Sequence, residues 1–385
     1  MTHRTSSLFP AKSGSRPRPT GGQVGFWLIS TFCLLLVLRN AEAAVTYMGR
    51  GLSLCARTVI PSLFPFMVVS ELLVASGAGE ALGRLFSRMM RWVFGISGAG
   101  ASALFLGSMC GFPVGARTAV GLLDQGVISK TECEHLLTFT CNPSSAFLIT
   151  AVGVSLYGSR GLGVMLYVVV LGCGLLTGFL ARFFLKRGVT PTEHPHFPSG
   201  LRPVGLETFT GAVSSAATGM LTVCAFVVFF SALTGALGCV TSSWRGDGTG
   251  YALLCGVLEM TGGISEAAAL TGDRGLILTA AFAGWSGLSV HCQVMTLCGG
   301  RGLSFRPYLL AKAFQGVLCG VVTAVLIRWF PAVTRPAEGV ITDAILVFTS
   351  MKDISFPALL TNGGFVLGWL LSRTEAVSAP RGSHP

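Results

Sequence analysis

The chain has 385 residues, 51% hydrophobic and only 11% charged, with a mean hydropathy of +0.69. A soluble domain carries roughly 25% charged residues, so this chain lacks the polar surface to clothe a water-facing core. Its net charge of +11 comes from basic residues spread thinly between long apolar runs, a distribution that suits anionic lipid headgroups and positive-inside topology rather than nucleic acid.

In chain order, residues 1–22 hold Arg4, Lys12, Arg16 and Arg18 and no acid, and read as a basic, disordered cytoplasmic tail. An uncharged stretch at 20–38 is long enough to cross the hydrocarbon core, so 23–50 is expected to be a first transmembrane helix and its loop. Ala41-Glu42-Ala43 also matches a signal-peptidase site; the long basic tail favours retention of the helix. Plain apolar spans follow at 54–76, 161–185, 216–240 and 313–330. Four other apolar segments, 101–123, 136–157, 251–270 and 276–298, carry Gly, Pro, Ser and Asn in their middles, which in a membrane mark backbone that lines a cavity. Residues 189–205 read as a cytoplasmic linker, and 333–385 as a C-terminal tail with a candidate extra span at 354–372.

The order plain span, interrupted segment, interrupted segment, plain span occurs twice, in 51–188 and 206–332. FLGSMCGFPVGA at 105–116 parallels LLCGVLEMTGGISEA at 253–267 in glycine punctuation. If the first interrupted segment of each half is a re-entrant hairpin, each half crosses three times and the second is inverted relative to the first. The expected fold is therefore an all-α polytopic membrane protein with two inverted repeats, re-entrant hairpins and broken helices. Most Lys and Arg then fall on the side of the tail, Lys312 among them, while Arg117 is left inside the first hairpin.

PSLFPF at 61–66, GSMCGFPVGAR at 107–117, CNPSSAF at 141–147, GVLEMTGG at 256–263 and GWSGLSVHCQ at 284–293 together resemble the YlbJ/SpoVV family of sporulation integral membrane proteins, within the wider group carrying the nucleoside-recognition Gate domain. The likeness covers about residues 24 to 330. It implies an elevator-like core similar to concentrative nucleoside transporters, and movement of dipicolinate during endospore formation in the membrane surrounding the forespore.

From the residues themselves, Gly111, Pro113 and Gly115 form a turn that exposes backbone N–H groups at membrane depth, ready to bind an anion. Arg117 follows as a membrane-buried cation with a carboxylated ligand as its natural partner; the alternative is a side chain that snorkels to headgroups. Asn142, Ser144 and Ser145 flank Pro143, which forces the helix open into a ligand cradle. Glu259 precedes Gly262 and Gly263 and is a candidate carrier of a coupling proton or Na⁺. Ser286, Ser289, His291 and Gln293 read as polar lining of the last broken segment. GxSG at 284–287 with His291 also matches an intramembrane serine protease signature, but residues five apart lie about 140° apart on a regular helix and meet as a dyad only if the helix breaks between them. Glu42 and Glu71 read as interfacial, and Arg88 and Arg91 beside Trp92 as an amphipathic helix on the membrane surface.

The expected function is secondary transport of a small carboxylated aromatic solute, dipicolinate by the resemblance, with transport of a nucleoside or related heterocycle and a structural or assembly role in the spore envelope as the alternatives. A small anionic or heterocyclic solute, membrane lipids and a coupling H⁺ or Na⁺ are the expected partners. No GxxxxGK[ST] loop points to nucleotide drive. No cofactor, metal site or catalytic residue is expected, since the 12 cysteines show no CxxC pair. Oligomerisation through scaffold helices is the remaining partner expectation.

Overall fold

The computed structural model describes residues 21–185, 205–241 and 247–330, and among these every regular element is helical. The expected tails, most of the linker and the candidate span at 354–372 lie outside the described residues.

Helix α1 (Gly21–Arg39) meets α2 (Ala41–Leu54) at a bend of 97°. α2 fills residues expected as loop, and continues through a π-helical turn at Cys55–Val59 into α3 (Ile60–Ala75). Pro65 sits inside α3. α4 (Ala78–Met89) runs on through a π-helical turn at Met90–Phe94, and leaves Trp92 80% exposed, as the surface-helix reading anticipates. α5 (Gly100–Cys110) and α6 (Phe112–Asp124) follow, then α7 (Lys130–Thr140), a π-helix at Phe147–Leu156, and α8 (Arg160–Phe184). The second half comprises α9 (Leu206–Val240), α10 (Thr249–Leu258), α11 (Met260–Ala268), α12 (Asp273–Trp285), α13 (Gly287–Cys298) and α14 (Arg306–Trp329).

Four of these stretches are long and apolar enough to cross a membrane, or five if the bent α1–α2 pair counts as one. Phe26, Trp27, Ile29, Phe32 and Leu35 of α1 point outward, where water would not tolerate them and acyl chains do. α9 begins ten residues before the apolar run that announces it, with Glu207 in the first turn complementing the helix dipole. α14 begins seven residues early because Pro307 fits its first turn.

Two bodies emerge from the packing. α1, α2 and α3 lie along the 35-residue α9 and form a scaffold. The other body is the main core, in which α5 to α8 and α11 to α14 bury Leu136, Phe139, Leu148, Leu166, Ile264 and Cys319. A second apolar cluster joins them: Leu63 and Met67 of α3, and Val223 and Val227 of α9, pack on Leu106, Cys110 and Val114 of the α5–α6 pair.

Both predicted hairpins are present. α5 packs on α6, and α10 on α11, each pair joined by one residue, Gly111 or Glu259. The repeated glycines explain the close approach. A Cβ built on Gly263 would lie 2.1 Å from the Cα of Gly256, and one on Gly115 would lie 2.4 Å from the carbonyl oxygen of Thr140 and 3.0 Å from the Cα of Gly107. Gly111, at φ 99° and ψ 177°, makes a turn that a side chain would strain.

Both predicted breaks are present as well. The chain is non-helical at 141–144 between α7 and the π-helix, and Ser286 at φ 74° separates α12 from α13. Each hairpin tip rests on the break of its own half: a Cβ on Gly111 would meet Ser144 at 3.3 Å, and one on Gly287 would meet the backbone nitrogen of Met260 at 2.8 Å. The two halves also pack reciprocally, α14 on α7, α12 on α8, and α8 on α14.

Candidate functional site between the hairpin tips

The two tips and the two breaks converge on the scaffold. Between them lies a cavity of about 30 Å³, bounded by Gly111, Phe112, Ser144 and Phe147 from the first half, by Glu259, Thr261, Val290 and Gln293 from the second, and by Val59, Leu63, Val223 and Val227 of the scaffold. Phe147, Glu259 and Thr261 also border a larger cavity of about 290 Å³, which opens between the second hairpin, the π-helix and the scaffold residues Tyr47, Arg50, Ser231 and Thr234. The two cavities share these three residues as a common wall, the larger being termed the vestibule.

Glu259 is 3% exposed and caps α11: its two carboxyl oxygens accept from the N–H groups of Thr261 at 3.0 Å and Gly262 at 2.6 Å. A helix start at membrane depth offers unpaired donors and the positive end of a dipole, and here the protein's own carboxylate takes them. Gln293 is buried at 3% exposure, donates to Ser289 Oγ at 3.4 Å, and has no partner for its Oε1. A buried acceptor left unpaired costs on the order of 1–3 kcal/mol, so an acceptor beside a cavity invites a donor from a solute.

Arg117, expected to face a carboxylated ligand, is paired within the protein in this structure. Its guanidinium donates to Glu71 Oε1 at 2.8 Å and to Ser215 Oγ at 2.7 Å, tying α6 to α3 and α9, and the side chain lines neither cavity. Glu71, read as interfacial, is its ion-pair partner. The start of α6 is also short of donors. Pro113 has none, and the N–H groups of Val114 and Gly115 both go to the carbonyl of Gly111.

Among the other expected residues, Gly111, Ser144, Glu259, Gly262 and Gln293 border the cavities. Gly115 and Gly263 serve hairpin closure, and Pro113 the first turn of α6. Asn142 is occupied, accepting from Lys312 and Gln315 and donating to Phe139 O. Ser145 donates to Met109 O, and Ser144 Oγ accepts from Phe147 N. The helix does break at Ser286, yet Ser286 Oγ donates to Ala283 O while His291 Nδ1 pairs with Tyr308 Oη at 3.0 Å; the two side chains do not form a dyad. Phe112, Phe147 and Thr261 are site residues that apolar runs conceal, because nothing in a hydropathy pattern separates a cavity wall from a lipid face.

Lys312, expected at the cytoplasmic surface, is instead fully buried behind the α7 break. The sequence signal was a cation inside an otherwise uncharged run, the same criterion that drew attention to Arg117.

Comparison with known proteins places residues 56–238 in a match to the family model described as Gate, nucleoside recognition. Over 344 residues, 80% of this chain and 83% of the relative, the sequence is 29% identical to the sporulation integral membrane protein YlbJ of Bacillus subtilis (strain 168). The resemblance read from the motifs thus extends over most of the chain. No solved structure matches it.

Proposed function

We propose that this integral membrane protein, a relative of YlbJ with a Gate nucleoside-recognition region, is a secondary transporter that carries a small, uncharged heterocyclic solute of nucleoside type between its two hairpin tips. The observation that carries the reading is the lining of the cavity at those tips: two phenylalanines, an unpaired buried acceptor on Gln293, a self-satisfied Glu259, and no Lys or Arg. An anion entering a low-dielectric cavity needs fixed donors and positive charge in exchange for its water, and this lining has no Lys or Arg to supply the charge. A flat ring with a donor edge suits the phenylalanines and Gln293.

A carboxylated aromatic such as dipicolinate is the second reading, and Arg50 favours it. Arg50 borders the vestibule, with its guanidinium 4.6 Å above the ring of Tyr47. By the name of its relative, the physiological setting is sporulation, and the membrane a bacterial cytoplasmic membrane or that around the forespore.

In this reading the halves are inverted repeats of three crossings, supported by the recurring order of elements and the reciprocal packing of α7 on α14 and α12 on α8. With the basic tail cytoplasmic, Arg50, Glu266 and the vestibule face outward. The test is accumulation of radiolabelled uridine and of dipicolinate in proteoliposomes, each with and without a pH gradient. Accumulation of uridine supports the reading; dipicolinate alone supports the second; accumulation of neither under any gradient would overturn transport of both solutes.

A further inference from the structure

Lys312 sits on α14 with no surface exposed to solvent. An ammonium has three N–H donors and no acceptor, and all three are used here: Cys141 O at 2.8 Å, Asn142 Oδ1 at 3.3 Å and Gln315 Oε1 at 2.8 Å. Each partner is a neutral oxygen. Among the described residues no carboxylate forms an ion pair with it; the three ion pairs present join other residues.

The cage around it is built. Gln315 Nε2 donates to Asn142 Oδ1 at 2.8 Å and to Val170 O at 3.0 Å, which turns both amide oxygens toward the ammonium. Gly174 of α8 lets the network pack: a Cβ there would lie 3.0 Å from Asn142 Nδ2 and from Gln315 Nε2. One of the oxygens belongs to Cys141, the residue after the last turn of α7, where unpaired carbonyls and the negative end of the helix dipole favour a cation. Burying an unpaired charge is costly, so this geometry needs a reason beyond stability.

Carbonyl and amide oxygens converging at the C-terminal end of a half-helix, beside a break, are what a hard monovalent cation requires; transporters place coupling Na⁺ or H⁺ in such places. We propose that the α7 break is a cation site and that Lys312 is its tethered occupant, standing where an inorganic coupling cation would otherwise bind. The protein's working cycle then needs no alkali cation at this position. This inference rests on the transport reading for its meaning, while the site itself is defined by Lys312, Cys141, Asn142 and Gln315.

The test uses the full chain in detergent and no solute, so that it stands apart from the uptake assay. Thermal unfolding is followed in choline, lithium, sodium and potassium chlorides at constant ionic strength. The wild-type midpoint should be the same in all four. Lys312→Ala vacates the cage, and its midpoint should fall in choline and rise by several degrees, saturably, with one of the alkali cations, as binding to the folded state alone requires. Lys312→Met, which fills the space without a charge, should show no such dependence. Lys312→Ser is the second vacated variant should the alanine protein not be recovered.

A vacated variant that folds yet is as indifferent to alkali cations as the wild type overturns the proposal. So does failure of both vacated variants to fold in alkali chlorides as well as in choline, because a cation in the cage should rescue them. A cation effect without uptake of uridine or dipicolinate would retain the site and remove the transport reading.

Discussion

Arg117 holds Glu71 and Ser215 at once, and both it and Glu71 are only about a quarter exposed, at 26% and 22%. Its role is to join the first hairpin to the two scaffold rods. Removing the guanidinium leaves a largely desolvated carboxylate on α3, so Arg117→Ala should lower stability by about 1–3 kcal/mol, between the values for exposed and buried pairs. Glu71→Ala in the same protein should restore part of that loss, because the stranded charge goes with it; a double-mutant cycle by thermal unfolding in detergent measures the coupling. Additive losses would mean that the pair does not interact. That Arg117 stands as a lone cation in an apolar hairpin was legible in the sequence, but its partners were not: Glu71 and Ser215 lie 46 and 98 residues away, and no local pattern links them. Lys312 meets the same criterion between Arg306 and Arg328, but its place makes it read as the boundary of the apolar run that follows it.

The hairpins show how much an element can be read from its glycines. A run of small residues on both sides of a turn predicts two helices packed backbone to backbone, and Gly256 with Gly263 does this in the second half as Gly107 with Gly115 does in the first. The breaks were equally legible, from Pro143 and from the Gly-Trp-Ser-Gly run ending at Gly287. Helix boundaries were not. α9 opens with the stretch 206–215, which is largely exposed and which no continuous apolar run announces, and the π-helical segments at Cys55–Val59 and Phe147–Leu156 leave no signature in composition. Gly263→Ala tests the hairpin argument. A methyl placed 2.1 Å from the Cα of Gly256 must push the arms apart, and overpacking of this kind costs about 1–3 kcal/mol. The second tip then moves off the Ser286 break, so uridine uptake should fall in proportion more than the thermal midpoint. Gly121→Ala is the control, since a Cβ there meets nothing within 4 Å. Equal behaviour of the two variants would show that close approach of the arms is unimportant.

At the scale of the whole molecule, a rod-like scaffold of α2, α3 and α9 faces a core that carries both hairpins and both breaks. The contact at the first hairpin is apolar apart from the Arg117 cluster, with Leu63, Met67, Val223 and Val227 on the scaffold side, while at the second hairpin the Tyr251 hydroxyl of α10 donates to Tyr47 Oη of α2 and lies 3.5 Å from Thr234 O of α9. The all-helical, membrane-spanning character and the order of hairpins and breaks were legible from hydropathy and interruption. The site came only in part, because its walls are ordinary apolar residues made special by convergence. Its position between two tips predicts a specific accessibility. Gln293→Cys in an otherwise cysteine-free protein, reconstituted in sealed proteoliposomes, places a thiol in the lining of the cavity. An impermeant thiol reagent added to either side should label it, and uridine should slow the labelling from both. Labelling from one side only, with no protection by uridine, would contradict passage of the solute between the hairpin tips.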